Sequence, residues 1–79
     1  MKKIDYETAK GNLYRIQYRL CGLFNWEWDI LLYSPGKANS SWLGLCFGRN
    51  RTLFPNHFMS DILRRYAEYK DHKDGDANH

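Results

Sequence analysis

Arg15, Gln17 and Arg19 occupy alternate positions within Leu13–Cys21. On an extended chain, residues spaced by two share one face. The trio has a definite recognition chemistry, since a guanidinium can grip a carboxylate or a guanine edge in two places and an amide can do the same for adenine. Downstream, Glu27, Asp29 and Tyr33 share a face of Trp26–Tyr33 in the same way. Two carboxylates on one face could divide acid and base roles. Arginines beside them would hold both ionised and abolish the pKa split that such catalysis needs. The same charges also read as cross-strand ion pairs on a solvated face, Arg19 with Asp29 or Arg15 with Glu27.

The remaining reactive residue types are sparse. His57, His72 and His79 are the only histidines, and no two have the i,i+4 spacing that puts both imidazoles on one helix face. Cys21 and Cys46 could lie on one exposed sheet face, yet no basic residue is spaced to activate either thiol, so both read as small, partly covered hydrophobes. There is no Gly-rich phosphate loop, and Gly44 and Gly48 fit close packing or a bulge. The expectation is a protein without catalytic residues, metal or cofactor.

Those side chains must be positioned by elements legible from periodicity. In Leu13–Cys21, Tyr14, Ile16, Tyr18 and Leu20 oppose the arginine face, and in Trp26–Tyr33 the face of Trp26, Trp28, Ile30 and Leu32 opposes Glu27 and Asp29. Gly22–Asn25 reads as the hairpin loop, with Gly22 across from Trp26, Tyr18 across from Ile30, and Arg19 across from Asp29. Ser34–Ser40, with its Pro35-Gly36 pair, is the strongest turn signal. A third strand is expected over Ser41–Gly48, with Leu43, Leu45 and Phe47 opposing Trp42, Gly44 and Cys46, and Arg49–Phe54 as a loop. From Pro55 or Asn56 a helix should present Phe58, Met59, Ile62, Leu63, Tyr66 and Tyr69 on one side and Asp61, Arg64, Arg65, Glu68 and Lys70 mainly on the other.

The N-terminus, with Asp5 as N-cap and Gly11 as stop, reads as a short helix. The expected fold class is therefore α+β: a three-stranded antiparallel sheet packed on one long C-terminal helix, with a possible short N-terminal helix. Residues 1–70 would form the single domain, and 71–79 a disordered polar tail.

With 79 residues, 43% hydrophobic and 16% aromatic, the chain has room for one domain with an aromatic core. A net charge of +3 is compatible with nucleic acid without demanding it. Two cysteines, no secretory leader pattern, and apolar runs such as Ile30–Tyr33, far below the ~18 residues needed to cross a bilayer, imply a cytoplasmic protein with free thiols and no membrane partner.

Tyr14-Arg15, Arg19, Trp26-Glu27-Trp28-Asp29-Ile30, a Pro-containing turn and Trp42-Leu43-Gly44-Leu45-Cys46-Phe47 together resemble the DNA-binding domain of plant ethylene-response factors, whose relatives occur in phage integrases and homing endonucleases. The resemblance spans Tyr14 to Phe47. It implies a three-stranded sheet that reads the major groove, with contacts from Arg15, Arg19, Trp26 and Trp42 and with Asp29 orienting the arginines. The chain departs from that family's pattern at Leu31, where the family has Arg, and in its bulky, delayed helix.

Two functions follow. One is a small inhibitor or adaptor, of the kind carried by phages and mobile elements, that binds a host protein or nucleoprotein complex as a monomer or homodimer. The other is a module reading double-stranded DNA through its sheet. For either, the expected contact residues are Arg15, Gln17, Arg19, Asp29, Tyr33, Lys37, Trp42, Arg49 and Arg51.

Overall fold

The computed structural model describes residues 1–35 and 41–77, with side chains described as far as Lys73. Lys37 and the Gly36 half of the Pro-Gly turn lie outside the described residues. Four strands, β1 (Lys2–Glu7), β2 (Leu13–Gly22), β3 (Asn25–Tyr33) and β4 (Trp42–Arg51), form one antiparallel sheet in sequential order, followed by α1 (Pro55–Ala77). The α+β class stands, with one strand more than expected.

That extra strand replaces the expected N-terminal helix. Six residues make a marginal helix in water, whereas extension sets Ile4 opposite Ile16 and Tyr6 opposite Tyr14 on the side that α1 covers. Tertiary burial thus overrides the local Asp5 signal. Gly11 is a turn residue rather than a helix stop. Its φ of 87° closes the β1–β2 hairpin, where its N–H donates to the Thr8 carbonyl at 2.9 Å.

The β2–β3 register differs from the expected one by two residues. Gly22 pairs with Asn25, Tyr18 with Trp28, Ile16 with Ile30 and Arg19 with Glu27, with an irregularity between Leu20 and Gly22. The loop is therefore Leu23-Phe24 alone, and Phe24 takes a left-handed φ of 54°. That conformation costs an L-residue about 1–2 kcal/mol, and Gly or Asn fills it more readily.

Arg49–Arg51, expected in a loop, continue β4 opposite Asn25–Glu27. The bulge that skips Leu45 shifts the alternation. Cys46 and Gly48 pair with Ile30 and Trp28 on the helix side, while Phe47 and Arg49 pair with Asp29 and Glu27 on the other. Gly48 lies under the Trp28 indole, whose Nε1 donates to Asn50 Oδ1 at 2.9 Å.

Pro55 opens α1, as expected of a residue with no N–H to satisfy. The core consists of Tyr14, Ile16, Tyr18 and Ile30 from the sheet against Met59, Leu63 and Ala67 from the helix. Each large apolar side chain buried there contributes roughly 1.5–3 kcal/mol. The helix runs past Lys70, where a tail was expected to begin, and Asp71 is only 5% exposed.

Three tyrosine hydroxyls tie the helix down. Tyr18 donates to Asn56 Oδ1 at 2.5 Å, Tyr6 to Glu68 Oε1 at 2.6 Å, and Tyr14 to Asp71 Oδ1 at 3.2 Å. Asp71 also accepts from Asn12 Nδ2 at 2.8 Å, and its backbone carbonyl accepts from Lys10 Nζ at 2.8 Å. Burial opposes ionisation of Asp71, but hydrogen bonds from Thr8, Asn12 and Tyr14, with Lys10 nearby, outweigh it and hold the carboxyl below the ordinary aspartate value.

Two outcomes follow for stability. Gly48→Ala would place a Cβ 2.5 Å from Trp28 Cζ2, whereas at Gly44 the nearest atom is Leu31 Cδ2 at 3.8 Å. Thermal denaturation should show Gly48→Ala destabilised by about 1–3 kcal/mol and Gly44→Ala close to wild type. A folded-state pKa below the unfolded one makes the Asp71 contribution complete above the ordinary carboxylate range and lost as pH falls through the folded value. Urea titrations at successively lower pH should show this loss, with a shallower acid dependence for Asp71→Asn.

Candidate binding face of the sheet

Alternation along β2 and β3 sends Tyr14, Ile16, Tyr18 and Ile30 under the helix, and so turns Arg15, Gln17, Arg19, Glu27 and Asp29 to the opposite, uncovered side. Phe47, Arg49 and Trp42 join them from β4, and Asp5 joins from β1. The expected site residues on β2 and β3 are thus brought onto one face. Arg49 and Arg51 reach it from a strand rather than from flanking loops. Tyr33, at the end of β3, packs tilted against Trp42 with ring centroids 5.2 Å apart.

The charges pair differently from expectation. Arg15 grips Asp5 with two hydrogen bonds, Nε to Oδ1 at 2.7 Å and Nη2 to Oδ2 at 3.1 Å, and its Cζ lies 4.1 Å from the centre of the Trp42 ring. Arg19 donates to Glu27 Oε1 at 2.5 Å, and Arg49 approaches Glu27 Oε2 at 3.3 Å. The anticipated Arg15–Glu27 and Arg19–Asp29 pairs do not form, because the two-residue loop moves the β2–β3 register and β1 supplies an acid that no local pattern announced. Asp29 stands opposite Gln17 and Phe47, so Asp5 and Glu27 are the carboxylates that orient arginines.

These contacts depress both acids. The hydrogen bond from Arg15 holds Asp5 below its usual value against a smaller opposing effect of burial, and the hydrogen bond from Arg19, helped by Arg49, does the same for Glu27. Both carboxylates are therefore acceptors at neutral pH, unsuited to donating a proton.

Trp26 lies on the helix side, half-buried against the core and edge-on to Tyr18 at 5.8 Å, so it does not share the face of Arg15 and Arg19. The two cysteines do not share an exposed face either. Cys21 is exposed, whereas Cys46 is half-buried on the helix side, where burial pushes its thiol up despite a hydrogen bond with Tyr66. Among the described residues, no group of three or more His, Cys, Asp or Glu could hold a metal.

Phe47 is the residue on this face that periodicity did not single out. It is 82% exposed, and it borders a shallow groove of about 510 Å3 with Gln17, Arg19, Glu27, Asp29 and Arg49. Strict alternation from Trp42 would have put it on the helix side, and only the bulge places it here. What the groove offers is an aromatic side chain surrounded by hydrogen-bonding groups, a combination common at the centre of protein contacts.

The fold and this face define a class, an antiparallel sheet followed by one C-terminal helix with its other side open. Compared with protein-family models, with curated proteins and with solved structures, the chain matches none.

The Arg15 contacts give a stability test. A double-mutant cycle of Asp5→Ala and Arg15→Ala, read by urea denaturation, should return a coupling of about 0.5–1 kcal/mol, the upper part of the range for partly exposed pairs. A coupling of zero would mean that the bidentate pair is not maintained in solution.

Proposed function

We propose that this chain is a small non-enzymatic binding protein whose uncovered sheet face docks a partner protein or nucleoprotein complex, in the manner of a phage or mobile-element inhibitor or adaptor. The observation that carries this reading is Phe47, 82% exposed on a strand and bordered by the Arg19–Glu27–Arg49 network. An aromatic anchor with arginines at its rim is the composition of an interaction hot spot. The mix of charges supports it too: among the described residues the sheet face carries both signs side by side.

Charge balance favours a protein over a phosphate backbone as the main contact. Among the described residues, this side carries Lys3, Arg15, Arg19, Arg49 and Arg51 against Asp5, Glu7, Glu27 and Asp29, five cations to four anions. Arg15, one of the residues expected to read a base, is occupied by Asp5 and Trp42. Affinity for nucleic acid comes largely from cations free to replace counterions.

The DNA-reading alternative keeps one point in its favour. Arg19 and Arg49 share the single carboxylate of Glu27, which leaves a positive charge uncompensated on side chains 63% exposed. The resemblance to the ethylene-response-factor domain belongs to this second reading.

Affinity capture from a nuclease-treated lysate, run in parallel with wild type and Phe47→Ser, tests the proposal. A stoichiometric protein partner should survive nuclease, and its retention should fall about tenfold or more with Phe47→Ser while thermal stability is unchanged. Duplex DNA binding with a steep salt dependence, lost on Arg19→Ala and Arg49→Ala but indifferent to Phe47→Ser, would overturn it in favour of the alternative.

A further inference from the structure

One end of the molecule concentrates exposed apolar side chains away from the sheet face. Leu20, Leu23 and Phe24 at the β2–β3 hairpin, and Leu53 and Phe54 in the β4–α1 connection, are 48–76% exposed. They belong together because the Thr52 N–H donates to the Phe24 carbonyl at 2.9 Å, and Asn25 pairs with Arg51. Both loops are held in place. The Phe54 N–H donates to Thr52 Oγ1 at 3.0 Å, and the Phe54 carbonyl accepts from Phe58 N–H at 3.0 Å in the first turn of α1. Phe24 keeps its aromatic side chain at a left-handed φ of 54° that Gly or Asn would occupy with less strain.

Behind this apolar tip lies a cationic collar. Lys2 approaches from the helix side, its Nζ 5.8 Å from the Trp26 ring, while Arg19, Arg49 and Arg51 approach from the open side. Glu27 is the acid among them, already shared by two arginines. The tyrosine-bonded acids Glu68 and Asp71 sit toward the far end of α1. Lys10, Lys70 and Lys73 lie at that end too and offset Glu7, Glu68 and Asp71, so of the two ends it is the one with the apolar loops that carries uncompensated positive charge.

We infer that this tip docks on an anionic lipid bilayer surface, with Leu23, Phe24, Leu53 and Phe54 entering the headgroup–acyl boundary while the collar binds lipid phosphates and carboxylates. Apolar insertion together with cations held near the surface is the two-part requirement for reversible surface binding. Trp26, half-buried just behind the tip, is placed where an indole suits the interface. A second copy fits less well, because tip-to-tip contact would bring two cationic collars together. Among the described residues no helix is long and apolar enough to cross a membrane, but that concerns spanning, which surface docking does not require.

The test is co-sedimentation of the full chain with phosphatidylcholine vesicles, with and without phosphatidylserine, read alongside tryptophan emission. Wild type should bind the anionic vesicles at low salt with a blue shift, release with rising salt, and bind neutral vesicles about tenfold or more weakly. Phe24→Gly relieves the backbone strain, so its melting temperature should hold or rise, yet its vesicle binding should drop severalfold, and further with Leu53→Ser. Three results overturn the inference: no binding to anionic vesicles at low salt, binding that is unchanged in Phe24→Gly/Leu53→Ser, or wild-type self-association without vesicles that these substitutions abolish. The sheet-face reading does not depend on the outcome, because Phe47→Ser should leave vesicle binding intact.

Discussion

An α-helix with its side chains is about 10–12 Å across, whereas four strands spaced about 4.8 Å apart present a wider surface. One helix therefore cannot cover this sheet, and the main features of the molecule follow from where that cover falls. Backbone contacts place α1 over β1 and β2, with a margin on β3. The fully buried side chains accordingly come from β2, the centre of β3 and the inner face of the helix. β4, the edge strand beyond the helix, keeps Leu43 in solvent on the covered side, while its bulge turns Phe47 to the open one. A chain this short cannot hide all its large apolar residues with a single covering element, and those left over stay in solvent.

Polar groups reinforce the same arrangement. The core is lined by Tyr14 and Tyr18 as well as by aliphatic residues, and a buried phenol is costly unless its hydroxyl finds an acceptor. Both acceptors come from the helix, Asn56 near its start for Tyr18 and Asp71 toward its end for Tyr14, and Glu68 serves the less buried Tyr6 in the same way. Helix and sheet are thereby held in one relative register, which apolar contact alone specifies weakly. Among the described residues, no buried side-chain nitrogen or oxygen lacks a partner.

Charge is handled differently on the uncovered side and at the tip. Across the sheet face, cations and carboxylates are interleaved strand by strand, so the field largely cancels locally while directional hydrogen bonding remains. At the hairpin end, Lys2, Arg19, Arg49 and Arg51 outnumber Glu27, and the field adds. Interleaved charge favours recognition by shape and pairwise complementarity, whereas accumulated charge favours an extended anionic surface. The two surfaces adjoin through Arg19, Glu27, Arg49 and Arg51, and they differ in how charge is arranged around their apolar residues.

Features set by the direction of successive Cβ atoms were legible along the chain. The faces of β2 and β3, the core stripe of Met59 and Leu63, the start of the helix at Pro55 and the position of Trp26 on the helix side all depend on local period, which needs no knowledge of a partner. Arg15 and Arg19 could be placed on the uncovered face for the same reason. Their partners could not be assigned, because pairing depends on register, and register depends on loop conformations such as the left-handed turn at Phe24. The bulge at Leu45 lies beside Gly44, a glycine that fitted a bulge or close packing, but that it turns Phe47 outward depended on register in the same way.

Segments whose local preference is weak were settled by tertiary contact. Lys2–Glu7 became a strand because β2 offered an unpaired edge and α1 offered cover for Ile4 and Tyr6. The helix continued through Asp71 because Thr8, Asn12 and Tyr14 supply hydrogen bonds to its carboxyl from residues far away in the chain. The sequence by itself thus determined which side chains share a face, since covalent geometry fixes that residue by residue. Which faces meet, which charges pair and which aromatic residues remain in solvent were decided only when distant segments competed for the cover that a single helix provides.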